Sequence, residues 1–335
     1  MRFGLIVDFR TPPTDPRGAP EIFADTIDHL VLAESLGFGH ALFGEHHFTD
    51  DHFNPSPLVT ATAVAARTST MRVATNVALL PLYHPVRLAE DVAILDILSD
   101  GRVDVGVGIG YNAREFAGYG VAKTEIGARS NEALDIMRRL WLGETVTVHS
   151  KHFDIDGARL TPRPVQQPHP PIWVGGTSRA ALRRAAKYGD AYTGPADAEV
   201  WRTYLAELAE AGRDPATARI NLTGSPWVFV SEDPERTFAL VAPGLVQWFQ
   251  QAAELARANN VAHAAIQSIE TVEDLRANPM VAILTPDEMV ARIRAMVGDL
   301  PVDTFGIRPA PPGLPMRDLA DHLELFAGKV MPHFS

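Results

Sequence analysis

Short apolar runs alternate with amphipathic stretches from one end of the chain to the other. The runs cover 2–9, 40–46, 71–80, 102–109, 172–175, 191–194, 227–231 and 302–308. Near-continuous apolar character in so short a run is the signature of a parallel strand covered on both faces, and the intervening stretches supply the covering helices. Helix ends are readable. The helix over 19–36 stops at Gly37, the one over 85–98 stops before Asp100-Gly101, and the last spans 316–326; glycine accepts the left-handed backbone that closes a helix. Eight strand-helix pairs without a Gly/Ser-rich linker predict an α/β fold, a closed TIM (β/α)8 barrel occupying 1–335 as a single domain; six or seven pairs would suit an open doubly wound sheet.

Two segments break the rhythm. Over 143–171, Val146, Val148, Phe153 and Ile155 alternate as in a hairpin and lead into a proline-rich stretch, which predicts an insertion on the barrel rim. The second, 239–286, separates the seventh run from a helix over 287–297. A connection this long in a compact domain is commonly a lid, and this one has helical character along much of its length.

Composition narrows the chemistry. Hydrophobic residues make up 46 % and charged residues 21 %, the balance of a globular core. The net charge of -11 opposes a nucleic-acid partner, because phosphate neutralisation needs clustered Lys and Arg. With no cysteine there is neither a disulfide nor a thiolate ligand or nucleophile, so redox chemistry has to come from a bound cofactor. The first residues read as a strand rather than a leader, and no apolar stretch is long enough to span a bilayer, so a cytoplasmic protein without a membrane partner is expected.

Polar residues at the carboxyl ends of barrel strands face the cavity where active sites form. At the end of the second run stands Gly44-Glu45-His46-His47-Phe48. Its imidazoles suit proton transfer, anion binding, metal ligation or a structural role; strand alternation points His46 and His47 to opposite sides and disfavours a shared metal, so no metal ligand is assigned. After the fifth run, Gly175-Gly176-Thr177-Ser178 joins a strand to a helix start, where free amides and the helix dipole suit a phosphate, although a turn with a Ser cap reads the same way. Gly106-Val107-Gly108-Ile109-Gly110-Tyr111 is not a dinucleotide fingerprint, since Tyr111 occupies the place of the third glycine. Alternating glycines there leave room for a flat ligand, with Gly108 and Tyr111 as candidate contacts. Asn76 and Val77, on the third run, stand either in a ligand pocket or in the barrel interior. No GxSxG elbow, phosphate-binding loop of the GxxxxGK[ST] type or HExxH is present.

Taken in order, several stretches resemble the bacterial luciferase-like flavin-dependent monooxygenases. They are Glu45-His46-His47-Phe48-Thr49, Leu79-Leu80-Pro81 with His84-Pro85-Val86-Arg87, Leu98-Ser99-Asp100-Gly101-Arg102, Glu115-Phe116, Arg159-Leu160-Thr161-Pro162 and Pro170-Pro171-Ile172-Trp173-Val174-Gly175-Gly176. The resemblance continues to Val330-Met331-Pro332-His333-Phe334, with 239–286 the least similar region. It implies reduced FMN as cofactor, its phosphate at Gly175, Gly176, Thr177 and Ser178, and its ring near His46, Asn76, Val77, Gly108 and Tyr111. A non-proline cis peptide would fall at Asn76-Val77. The arginine that holds the phosphate in luciferases is replaced here by Ile109.

The implied reaction uses reduced FMN and O2 to oxygenate a small organic substrate through a C4a-peroxyflavin, with His46 and His47 as the catalytic residues and a separate flavin reductase as a partner. A homodimer through the second and third helices is also implied; the helix over 57–66, rich in small residues, suits close packing. Two alternatives stay open: hydride transfer with a deazaflavin on the same barrel, and a flavin-binding protein without turnover.

Overall fold

The computed structural model describes residues 1–12, 15–224, 227–259, 269 and 271–334. The first half of the chain forms β1 (Arg2–Val7), α1 (Ala19–Ser35), β2 (His40–Phe43), α2 (Pro57–Ala65), β3 (Arg72–Thr75), β4 (Ala78–Leu79), α3 (Pro85–Leu98), β5 (Val103–Gly108), α4 (Ala113–Gly118) and α5 (Ile126–Trp141). A hairpin follows, β6 (Thr145–His149) antiparallel to β7 (Asp154–Arg159). Next come β8 (Ile172–Gly175), α6 (Arg179–Tyr188), β9 (Ala191–Gly194), α7 (Ala198–Glu210), β10 (Ile220–Leu222), β11 (Trp227–Val230) and α8 (Pro234–Ala258). The chain closes with α9 (Val272–Ala277), β12 (Val281–Leu284), α10 (Pro286–Val297), β13 (Val302–Ile307) and α11 (Ala320–Lys329).

Local chemistry sets these boundaries. Pro20, Pro57, Pro85 and Pro286 start helices in the first turn, where the missing N–H would have had no partner. Ser178, Asp197 and Asp233 cap α6, α7 and α8 by accepting a backbone N–H, and Thr271 and Thr285 open α9 and α10 with capping boxes. Gly37 and the pair Asp100-Gly101 follow α1 and α3 with positive φ, as the sequence predicts.

Nine strands close the barrel in the order β3-β2-β1-β13-β10-β9-β8-β5-β4, with β3 also pairing to β5. Every pairing is parallel. β3 and β4 act as one barrel strand interrupted at Asn76-Val77, whose peptide bond is cis. The eight-stranded closed parallel barrel agrees with the expected fold class.

One strand differs from the sequence reading. The run at 227–231 is a strand, but β11 pairs only with β12 and lies outside the barrel. The seventh barrel strand is β10, between β9 and β13. Three residues with a central asparagine carry too little pattern to compete with Trp-Val-Phe-Val, whose aromatic and β-branched residues also favour extended backbone.

The main core lies between the barrel and its helices. Trp141 on α5 is buried there and its Nε1–H donates to the carbonyl of Ala89 on α3 (3.0 Å), so the indole is both packed and satisfied. Within the barrel, Ile6, Leu42, Ala74, Trp173 and Ala191 form a small plug. Toward the amino ends of the strands, His40, Arg72 and Asp104 fill the floor with a hydrogen-bonded network (2.7–3.1 Å). Burial pushes the Asp104 carboxyl up, but bonds from His40 and the Arg72 guanidinium outweigh it and hold the group below the ordinary carboxylate range. The plug and floor leave the carboxyl ends as the open mouth of the barrel. A third core, built on Trp227, Phe229, Phe238, Leu245, Trp248 and Phe249, lies under α8 and forms a cap.

The segment 239–286 is therefore largely the continuation of α8 with α9 and β12, apart from 260–268 and 270, which lie outside the described residues. No helix among the described residues is long and apolar enough to cross a membrane.

Candidate active site

The end of β2 delivers three consecutive polar side chains, Glu45, His46 and His47, in different directions. His46 points to the mouth and is partly exposed, whereas Glu45 and His47 are buried. His46 Nδ1 lies 2.8 Å from Glu115 Oε1. An ionised carboxylate only accepts, so Nδ1 carries the proton and Nε2, which has no protein partner among the described residues, is the free nitrogen. The same Glu115 oxygen accepts the backbone N–H of His47 (2.9 Å). Glu115 is fully buried and its Oε2 has no partner among the described residues, so α4 presents one carboxylate whose bonded oxygen is committed to holding His46 and the His47 amide. Phe53 and Tyr111 meet the His46 ring edge-on, with centroids 4.9 Å and 5.8 Å away, and limit its rotation.

His47 belongs to a separate network. Its Nε2–H donates to Glu45 Oε1 (2.8 Å), and its Nδ1 accepts from the Tyr119 hydroxyl (3.2 Å). Glu45 Oε2 accepts the N–H of Leu79 (2.9 Å), tying β2 to β4. Burial, followed by the charge and hydrogen bond of Glu45, pushes the Tyr83 phenol up and keeps it a donor. The two imidazoles thus face opposite sides, each with its own carboxylate. Phe48 and His52 in the same loop, and Phe9 after β1, hold positive φ (57°, 53° and 53°), backbone that non-glycine residues adopt at a cost of about 1–3 kcal/mol and that collects around functional sites.

The glycines of β5 have a defined neighbour. A Cβ on Gly106 would collide with the carbonyl oxygen of Thr75, and one on Gly108 would come 2.6 Å from Val77 Cγ2. Gly175 stands 3.4 Å from the Val77 side chain by the same measure. Val77 therefore projects into space left by Gly108 and Gly175, and Asn76 stands half-buried beside it with its N–H on the Phe43 carbonyl (2.7 Å). Across the mouth, Gly176 (φ 116°), Thr177 and Ser178 are exposed at the start of α6. Ser178 accepts from the Ala181 N–H, while the first turn has no acidic residue to repel an anion. The Arg179 side chain is drawn away to Glu207 and Glu210.

The opposite wall of the mouth carries Asp8 and Arg10, after β1, and Arg308, after β13. Arg308 Nη1 lies 3.1 Å from both Asp8 oxygens, and Arg10 bonds Asp51 (2.9 Å) and Gln251 of α8 (3.4 Å). The Arg308 guanidinium lies over the rings of Trp227 and Trp248 at 5.2 Å and 5.3 Å. At the far end of α8, the Asn259 carboxamide accepts the N–H of Ala113, the first residue of α4 (2.8 Å). Among the described residues, no three His, Asp or Glu side chains gather in a metal-holding group.

The structure brings His46, Tyr111, Asn76, Val77, Gly108, Gly175, Gly176, Thr177 and Ser178 to one end of the barrel and turns His47 away from His46. Sequence reasoning gave no role to Glu115, Tyr119, Asp8, Arg308, Trp227 or Trp248. Glu115 is 69 positions from His46, and no local periodicity links them.

The family model for luciferase-like monooxygenases matches residues 1–300, and the chain belongs to that family. The oxygenase component of the flavin-dependent trigonelline monooxygenase of Acinetobacter baylyi is 30 % identical over 177 residues, 52 % of this chain and 48 % of that protein. The chain thus matches about half the length of that relative. Among solved structures, the monooxygenase RslO1 of Streptomyces bottropensis superposes over the whole of both chains with a TM-score of 0.80 and 27 % identity. An F420-dependent secondary alcohol dehydrogenase shares the fold over 100 % of this chain and 99 % of its own (TM-score 0.76, 19 % identity).

Proposed function

We propose that this protein is the oxygenase of a flavin-dependent monooxygenase system, taking reduced FMN from a separate flavin reductase and using O2 to oxygenate a small organic substrate. The observation that carries the reading is the His46–Glu115 pair at the open mouth, together with family membership and the flavin-dependent relative. The bound flavin would supply the electrons for oxygen activation; the protein supplies binding, orientation and proton handling.

The residues suit FMN. Gly176, with its left-handed backbone, and the first amides of α6 form an exposed cradle for a phosphate, and with Arg179 held by two glutamates the backbone rather than a guanidinium would make the contact. Asn76, Val77 and the β5 end provide a wall for the ring, and Tyr111 stands between that wall and His46. His46 Nε2 holds or delivers a proton at the reacting edge, and Glu115 fixes the tautomer and stabilises the protonated ring. His47, bonded at both ring nitrogens, is a positioning residue that braces the loop. The cap under α8 excludes water from the mouth.

Titration of the purified protein with oxidised FMN, reduced FMN under anaerobic conditions and a deazaflavin, followed by flavin fluorescence, tests the reading. Selective binding of reduced FMN is expected, with 18O from labelled O2 entering the product of an accepted substrate. Preference for the deazaflavin with no label incorporated would replace it with hydride transfer.

A further inference from the structure

His46 stands between two aromatic rings that are held differently. Tyr111 meets it with 5.8 Å between centroids and is 37 % exposed, whereas Phe53 meets it at 4.9 Å and is 8 % exposed. Phe53 comes from the loop between β2 and α2, and the strands below show where that loop sends it. Ile6 on β1 and Leu42 on β2 belong to the plug inside the barrel. The Gly44 N–H still bonds the Val7 carbonyl (3.3 Å), so the ladder continues past both, and alternation turns Asp8 and Gly44 to the same inner side. A Cβ on Gly44 would come 2.8 Å from Phe53 Cζ and 3.7 Å from an Asp8 oxygen. The Phe53 ring therefore lies above the plug at the open mouth, in space that the missing Gly44 side chain leaves, beside His46.

The loop that carries it is pinned. The Phe53 N–H donates to Thr49 Oγ1 (3.0 Å) and the Asn54 N–H to the Asp8 carbonyl (3.1 Å). The Asn54 carbonyl accepts the His46 N–H (3.4 Å), and the Asp51 carbonyl accepts the Thr11 N–H (2.8 Å). The Arg10 guanidinium lies over the Phe53 ring, 4.6 Å from its centroid, and is itself paired with Asp51 (2.9 Å) and Asp8 (3.4 Å). A buried ring held on so many sides is a fixed wall, while the more exposed Tyr111 has room to turn. The same ring stands between the imidazole and the charges of Arg10, Asp8 and Asp51, so the surface it offers beside His46 is apolar.

We propose that Phe53 determines specificity: it sets how far a guest extends beside His46 on the β1 side, and it receives only the apolar part of that guest. This rests on His46 being the proton-handling residue of the reaction proposed above, but guest size is read by binding, without flavin or turnover.

Phe53→Ala removes one phenyl ring and Phe53→Leu part of it, and thermal unfolding checks that each variant folds. Benzene and 6-phenylhexan-1-ol are titrated into the full-length protein while the His46 ring signals, assigned by their loss in His46→Ala, are followed by NMR. Benzene fits the vacated space whether or not that space opens outward, since enclosed apolar cavities take such guests. The alcohol has to keep its hydroxyl in water, so it binds only where the space is continuous with the mouth. Both probes are expected to shift the His46 signals and to bind Phe53→Ala about tenfold more tightly than the wild type, with Phe53→Leu in between. If Phe53→Ala does not fold, Phe53→Leu carries the same comparison. Benzene binding without the alcohol would mark an enclosed core cavity and overturn the proposal. Equal binding to wild type and variants, or His46 signals that stay in place, would overturn it too. Failure of FMN to bind, with the probe discrimination intact, would count against the monooxygenase reading alone.

Discussion

In the barrel every strand has a neighbour on both sides, counting β3 and β4 as one, whereas β11 and β12 of the cap pair only with each other and depend on α8, α10 and α11 for cover. A two-stranded sheet is marginal without such packing. The polar groups divide in the same way. On the barrel floor His40 and Arg72 both bond Asp104, while in the cap the indole N–H groups of Trp227 and Trp248 have no acceptor among the described residues. The barrel floor satisfies its polar groups internally, whereas the cap leaves donors over.

The largest effect should come from forcing the barrel itself. Gly106→Ala puts a methyl group into the Thr75 carbonyl, backbone against backbone, and should cost more than about 4 kcal/mol or prevent folding. Gly244→Ala in the cap brings its Cβ to 2.7 Å from the Pro312 carbonyl, but a helix resting on a loop can shift, so about 1–2 kcal/mol is expected. Urea unfolding of both variants measures the contrast; equal losses would remove it.

Acid should reach the seam between the two regions. His322 of α11 accepts the N–H of Val230 on β11, and burial drives its imidazole down to about 4. His29 on α1 is pushed down to about 4 by the same cause. Because the folded state disfavours protonation, their stabilisation is complete above pH 6.5 and declines as pH falls from 6.5 toward 4, by about 3 kcal/mol for His322. Unfolding free energy measured across that window should fall, and His322→Asn should flatten the slope.

His46→Ala should leave the melting temperature nearly unchanged, since a partly exposed side chain at a strand end contributes little packing, while turnover falls about 100-fold. Glu115→Gln keeps an acceptor for Nδ1 and should lose less; equal losses would show that charge rather than orientation is what Glu115 supplies. The smallest effect concerns assembly. Val59 on α2 and Ile94, Ile97 and Leu98 on α3 are exposed apolar side chains on neighbouring helices, which suits the homodimer that the family resemblance implies. Leu98→Glu should weaken self-association by about tenfold in sedimentation, at about 1.4 kcal/mol, without unfolding the barrel.

The same contrast explains what was legible in the sequence. Barrel strands such as 2–7 and 103–108 announce themselves because both of their faces are buried. β10 does not, since Asn221 interrupts a three-residue strand, and the nearby Trp-Val-Phe-Val run carries the stronger strand pattern. His46 was legible from its strand-end position, and the opposite orientation of His47 from alternation alone. Glu115 was not, because its role arises from a hydrogen bond that only the closed barrel creates. The glycines of β5 were legible as space, yet Val77 is the neighbour that fills the space at Gly108.

α8 is 25 residues long, about 38 Å of helix with Pro243 inside it, and it is fastened to the rim through its carboxyl-terminal part. Toward that end Gln251 meets Arg10, which also bonds Asp51, and Asn259, just past it, holds the first amide of α4. Two residues further along α4 stands Glu115, the partner of His46. A change that shifts α8 is therefore expected to move the short helix carrying Glu115 as well, so that under the proposed function guest size and proton handling would change together.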